Sequence, residues 1–279
     1  MNNRLIVLIG TLLLGTSAHA EPVGLLTAGS VSAGLGNRDC KNNVGIDCMD
    51  HFAYDLRGRV SIPFGNSFSV QADAKYEGYA GADDEDNQVT SASVFGLHAS
   101  YRNPDRFLLG AFGAYSFSEP GIFDTASGFL YGAEGQYYFD RVTLYGQIGA
   151  ADISNDSYGS FDDSFWGVGL RYFWKDDILL EATWLEGGPK DTREWSVQSK
   201  MRLMNQQPLY GFFQYIRSDY FSETAPDAAG RDHTIWIGLT WEFGTPSLYA
   251  NDRRGATLTT PMMPGLAAGW AEVLKNQIP

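Results

Sequence analysis

Beyond its first twenty residues this chain has no apolar run approaching the ~20 residues that a membrane-spanning helix needs, so ordinary transmembrane helices are excluded. Cysteine is nearly missing, with Cys40 and Cys48 the only two. Histidine is scarce as well: His19 falls in the first twenty residues, leaving His51, His98 and His233. No metal site and no cofactor are expected. Positive charge is also short, with 20 Lys and Arg against 33 Asp and Glu. That balance argues against a nucleic-acid partner and against docking on anionic lipid through a basic face. Helical periodicity is rare along the whole length.

What is present begins with a targeting segment, read as residues 1–20. Arg4 supplies a positive start, Leu5 to Leu14 an apolar stretch, and Ala18, His19 and Ala20 the small-x-small pattern of a signal-peptidase site. No cysteine follows the cut, so no lipid anchor is expected. The mature chain of 259 residues would carry 19 basic and 33 acidic side chains. Cys40 and Cys48 lie eight apart in a polar segment of an exported protein, which predicts a disulfide.

Period-two alternation recurs from residue 23 to residue 243 and predicts twelve strands. They fall at 23–35, 51–64, 67–78, 89–102, 105–116, 127–139, 142–152, 164–174, 178–187, 194–204, 208–217 and 232–243. Most are as long as the ~9–11 residues that cross a bilayer at a tilt, and longer than the ~5–6 usual in soluble sheets. In the third, Phe68, Val70, Ala72, Ala74 and Tyr76 share one face, while Ser69, Gln71, Asp73, Lys75 and Glu77 share the other. Full charges in mid-strand on one face suit a polar lumen inside an apolar exterior.

The connections sort by length. Gly65-Asn66, Asn103-Pro104-Asp105, Asp140-Arg141, Lys175-Asp176-Asp177 and Asn205-Gln206-Gln207 are tiny, whereas 36–50, 79–88, 117–126, 153–163, 188–193 and 218–231 are longer and polar. Short turns on one side and long loops on the other are the mark of a transmembrane barrel, with the short turns periplasmic. The predicted fold is therefore all-β: a single transmembrane antiparallel up-and-down barrel of twelve strands over residues 21–243. Charge complementarity sets the expected registers. Arg171 should face Glu181, and pairing Pro63 with Ser67 should set Arg57 against Asp73 and Asp55 against Lys75.

Aromatic side chains gather at strand ends, with Phe64, Tyr101, Phe107, Phe139, Trp174, Trp241 and Phe243 at one rim and Tyr76, Tyr115, Trp166, Trp184 and Trp195 nearer the other. The stretch from His233 to Phe243, ending in Trp241, Glu242 and Phe243, resembles the terminal-strand signal that the barrel-assembly machinery of Gram-negative outer membranes reads. The chain as a whole resembles the outer-membrane β-barrel (porin-like) class. That resemblance implies residence in the cell outer membrane, with membrane lipids, lipopolysaccharide and the assembly machinery as partners. Residues 244–279 follow the signal and read as a partly disordered periplasmic tail with a short helix near 266–276. A plug folded back into the lumen is the alternative.

Candidate chemistry is thin. His98 and Ser100 share a strand face and resemble the His-x-Ser pair of outer-membrane lipid hydrolases, but both fall on the expected lumen face, away from lipid. No catalytic residue is assigned. Asp83, Asp84, Glu85 and Asp86, like Asp152, Asp156, Asp162 and Asp163, match no calcium loop and read as solvated loop charge. The inward charges are more informative. Arg57, Arg59, Asp73, Lys75, Arg171, Glu181, Lys200 and Arg202 are read as a track that guides small hydrophilic solutes, anionic ones included. Arg102, Asp55, Glu77, Glu134 and Glu242 are also expected inside. Inward Gly96, Gly110, Gly132, Gly167, Gly169 and Gly238 should leave room, and inward Phe165, Phe173, Tyr138, Tyr145 and Trp236 should refill part of it. A narrow porin-like channel is the leading expectation, with a non-conducting surface or structural barrel second.

Overall fold

A computed structural model describes residues 25–42, 51–80, 89–120, 126–155, 159–187, 192–220 and 230–260. The targeting segment, Cys48 and hence the disulfide, the acidic stretch 83–86 and the helix expected near 266–276 lie outside the described residues.

Twelve strands form one closed barrel: β1 (Ala28–Asn42), β2 (His51–Phe64), β3 (Phe68–Ala80), β4 (Val89–Asn103), β5 (Phe107–Pro120), β6 (Ala126–Phe139), β7 (Val142–Asn155), β8 (Gly159–Lys175), β9 (Ile178–Gly187), β10 (Arg193–Arg202), β11 (Leu209–Tyr220) and β12 (Gly230–Phe243). Every strand pairs antiparallel with its sequence neighbours, and β1 closes on β12 from Gly29 opposite Phe243 to Asn42 opposite Gly230. Closure leaves no unpaired edge, the condition for a sheet to stand in lipid.

The alternation read from the sequence becomes the two faces of the wall. In β8, Trp166, Val168, Leu170, Tyr172 and Trp174 are exposed on the outside, while Phe165, Arg171 and Phe173 are buried within. β12 repeats the scheme, with Ile235, Ile237, Leu239 and Trp241 outward and Trp236, Thr240 and Glu242 inward. Several strands outrun their sequence boundaries at the long-loop end. β1 continues to Asn42 and β8 starts at Gly159. There the ladder persists but the exterior turns polar, so alternation fades before the pairing does.

One register differs from the expectation. Pro63 pairs with Ser69, so Arg57 faces Lys75, Asp55 faces Glu77 and Arg59 faces Asp73. Two causes override direct charge matching. The connection is the three-residue turn 65–67, with Gly65 at φ 69°. Neutralisation instead runs along each strand, where Arg57 pairs with Asp55 and Lys75 with Glu77 at i, i+2 on the lumen face. Arg171 does meet Glu181, at 2.8 Å.

The lumen is partly dry. Val94, Phe112, Ala114, Leu130, Ala151, Ile153 and Phe165 form a buried cluster inside β4–β8. Two of the inward glycines expected to leave room, Gly132 and Gly238, are instead where aromatic rings approach the wall. A side-chain carbon on Gly132 would come within 2.7 Å of Phe112, and one on Gly238 within 2.6 Å of Phe212.

Residues 244–260 follow β12 and pack against the barrel. Gly244, at φ 82°, turns the chain under the short-turn mouth. Helix α1 (Leu248–Arg254) follows, capped by the Ser247 hydroxyl, which accepts from the Ala250 N–H at 3.1 Å. The strap then enters the barrel: Ala256, Thr257 and Leu258 are buried, and Leu258 packs with Leu108, Tyr138 and Tyr145.

Candidate functional site

Beside the strap the lumen keeps a cavity of about 210 Å³. Its walls come from β1–β3 and β7–β12, and its floor from α1 and residues 257–260. Six of the eight charged residues assigned to a track line it: Arg57, Arg59, Lys75, Arg171, Glu181 and Lys200. They meet because each lies on the inward face of its strand and the barrel brings β2 beside the β11–β12 side.

Glu242 is the hub of this wall. Lys200 Nζ lies 3.1 Å from its Oε1 and Arg59 Nη2 3.6 Å from the same oxygen, while Asn251 donates 3.2 Å to Oε2. One carboxylate thus serves two cations and a residue of α1. Arg59 also donates from Nε to Ser30 Oγ at 3.0 Å. Arg57 pairs with Asp55 and donates to Gln214 Oε1 at 3.2 Å, reaching from β2 to β11. The two guanidinium side chains keep 27% and 24% of their surface exposed, which places cationic groups in contact with whatever fills the cavity.

The remaining two track residues stand apart. Asp73 is buried in a compact network with His98, whose Nε2 lies 2.8 Å from Asp73 Oδ2 and whose Nδ1 lies 2.6 Å from Glu134 Oε1. Arg202 sits at the mouth, bonded to Asp177 and to the Pro246 carbonyl, where it anchors the start of the strap. The His98–Ser100 pair is not assembled as a base and nucleophile. Both ring nitrogens of His98 face carboxylates, and the Ser100 hydroxyl is 2.9 Å from that of Ser69. Trp241 is exposed on the outer wall and Phe243 ends β12, so both terminal-signal residues stay on the barrel surface.

How the strap is held was scarcely legible in the residues. Arg102, with 1% of its surface exposed, donates to the Gly255 carbonyl at 2.8 Å and to Thr257 Oγ1 at 3.2 Å. Gln136 donates to the Thr257 carbonyl at 3.4 Å and accepts from its hydroxyl at 3.1 Å. Thr143 donates to Asp252 at 2.5 Å, and Arg253 donates to the Asp140 carbonyl at 2.5 Å while its guanidinium lies over the Tyr138 ring at 4.3 Å. Polar residues on the inner faces of β3, β4, β6 and β7 were the only available signal.

No protein-family model and no curated protein matches the chain. Solved structures do resemble it. An active-site variant of outer membrane phospholipase A from Escherichia coli aligns over 80% of this chain and 94% of its own, at 10% identity and a TM-score of 0.51. The calcium-bound outer membrane phospholipase dimer of Salmonella typhi gives 80%, 94%, 8% and 0.51. A KdgM porin in complex with disordered oligogalacturonate covers 76% of this chain and 99% of its own, at 10% identity and 0.46. Identities this low speak to architecture alone, and in architecture the chain is an all-antiparallel, twelve-stranded β-barrel of the Gram-negative outer-membrane type.

Proposed function

We propose that this protein resides in the outer membrane and passes small hydrophilic solutes, anionic ones included, along the charged side of its lumen, without catalysis. The observation that carries this reading is the cavity wall itself. Arg57, Arg59, Lys75 and Lys200 converge there from three strands, among the hydroxyls and amides of Ser30, Ser32, Gln198 and Gln214. A closed structural core has little use for partly exposed guanidinium groups in its interior, whereas rings of charge set the selectivity of a pore. The leader read over residues 1–20 and the aromatic end of β12 support such a location.

Conductance of the folded protein in planar bilayers tests the proposal. Discrete channel events are expected, with anion preference reduced in Arg57→Ala. Folded protein that stays silent removes the reading.

A second reading, a non-conducting surface or structural barrel, is favoured by one specific feature: the strap occupies the lumen beside the cavity and its residues 252–259 are bonded to β3, β4, β6, β7 and β8. Under that reading, loss of adhesion or envelope integrity on deleting residues 79–88 or 218–231 is expected without any transport defect.

A further inference from the structure

Arg102 is a buried cation whose bonds all go to the strap. Among the described residues no carboxylate pairs with it. Its Nη1 and Nη2 donate to Gly255 O and Thr257 Oγ1, and Nε has no acceptor. The carboxylates of Asp252 and Glu134 act on this guanidinium only through space, without a direct bond, whereas the strong partner for its planar fork is an oxyanion in contact.

Arg171 divides its donors between wall and strap. Nε holds Glu181 on the wall at 2.8 Å, while Nη1 and Nη2 reach Asp252 Oδ1 and Thr259 Oγ1 in the strap, each at 3.1 Å. The strap therefore offers the wall one carboxylate, several hydroxyls and main-chain carbonyls. It adds two apolar anchors, Leu248 against Phe173, Leu179 and Tyr210, and Leu258 against Leu108, Tyr138 and Tyr145. The wall facing residues 252–259 carries Gln71, Arg102, Gln136, Thr143 and Arg171, so that part of a vacated wall would be wetted by water rather than exposed as an apolar face.

We propose that Arg102 and Arg171, with Gln71, Gln136 and Thr143, form an anion-binding site in the lumen. The chain's own residues 252–259 occupy it, and a small hydroxylated carboxylate takes their place. Such a solute supplies Arg102 with the charged partner it lacks and replaces Asp252 at Arg171. Its hydroxyls take over the bonds of Thr257 and Thr259. Binding and strap release are then linked, and solute raises the population in which the periplasmic mouth is open. The site deepens the channel reading and rests on it for the solute's route into the lumen.

Trypsin reads strap release, since cutting after Arg254 frees residues 255–279, a fragment that mass spectrometry follows. The full mature chain, folded in detergent, is digested with D-glucuronate, glucose or inorganic phosphate at matched ionic strength. A ligand that binds only the strap-free form at about ten times its Kd raises that population about tenfold. Glucuronate should therefore speed release about tenfold, with glucose inert and phosphate weaker. Arg102→Gln should lose the response. Should that variant not fold, Asp252→Asn, which weakens only the occupant, should respond at lower glucuronate concentrations. A glucuronate effect no larger than that of glucose, or an undiminished one in Arg102→Gln, overturns the site. Phosphate as effective as glucuronate overturns its restriction to carboxylates. Bilayer recordings separate the two proposals. Strap release without conductance removes the channel and leaves the site, whereas conductance with a strap indifferent to glucuronate does the reverse.

Discussion

Gln71 and Leu258 hold each other through both ends of one amide. Gln71 Nε2 donates to the Leu258 carbonyl at 2.9 Å, and its Oε1 accepts from the Leu258 N–H at 3.1 Å. A side chain on the wall thus reproduces the two bonds that a neighbouring strand would make. Main-chain recognition of this kind fixes the depth of the strap without regard to its side chains. Gln71→Ala removes both bonds at about 1 kcal/mol each net, which is roughly 30-fold in the docking equilibrium. Tryptic cutting after Arg254 should accelerate by about that factor, while the heat-dependent gel shift of the barrel stays unchanged. An unaltered cutting rate would mean that the helix and the Arg102 contacts hold the strap by themselves.

His98 sits between Asp73 and Glu134 with no exposed surface, and the ring joins β4 to both β3 and β6 across the lumen. His98→Leu keeps the bulk and leaves two buried carboxylates facing each other. Breaking a buried ionic contact on one side costs about 3–5 kcal/mol. Urea unfolding of the detergent-folded protein should show a loss of that size, and the triple variant with Asp73→Asn and Glu134→Gln should recover most of it. A loss without recovery would assign the effect to packing against Phe112, whose ring lies 6.2 Å away.

Lipid contact on the outer wall is checked by a pair of neighbouring positions. Leu239 is outward and 50% exposed, whereas Thr240 is inward and buried. Arginine at a lipid-facing midplane position costs about 2–4 kcal/mol. Leu239→Arg should destabilise the barrel in lipid by about that amount and by little in a soluble environment. Equal stability of Leu239→Arg and the wild-type protein in bilayers would contradict a lipid-facing exterior.

Much of this architecture was legible in the residues. Strand number, inward and outward faces and the short-turn end follow from period-two alternation and turn chemistry, because each strand of a barrel faces only two environments. The strap was less legible. Residues 244–260 carry no alternation, and their partners Gln71, Arg102 and Gln136 look like any polar residue on an inward face. Asp73 and Arg202 share the inward charge pattern of the cavity residues, yet one closes around His98 and the other grips Pro246. A list of inward charges does not say which oppose one another across a lumen, since that depends on the stagger between strands.

The β2–β3 register shows the same limit and can be decided directly. Matching Arg57 to Asp73 predicts that Val60 stands opposite Val70, whereas the barrel sets Val60 opposite Ala72. All three lie on the outer face, where directly opposite Cβ atoms sit about 4.5–5.5 Å apart and positions two residues along are several ångström farther. In a background with Cys40→Ser and Cys48→Ser, Val60→Cys with Ala72→Cys should cross-link on mild oxidation and Val60→Cys with Val70→Cys should not. The reverse pattern would move every side chain of β2 two residues along β3. Arg57 would then lie beside Asp73, and direct charge matching across the hairpin would be restored.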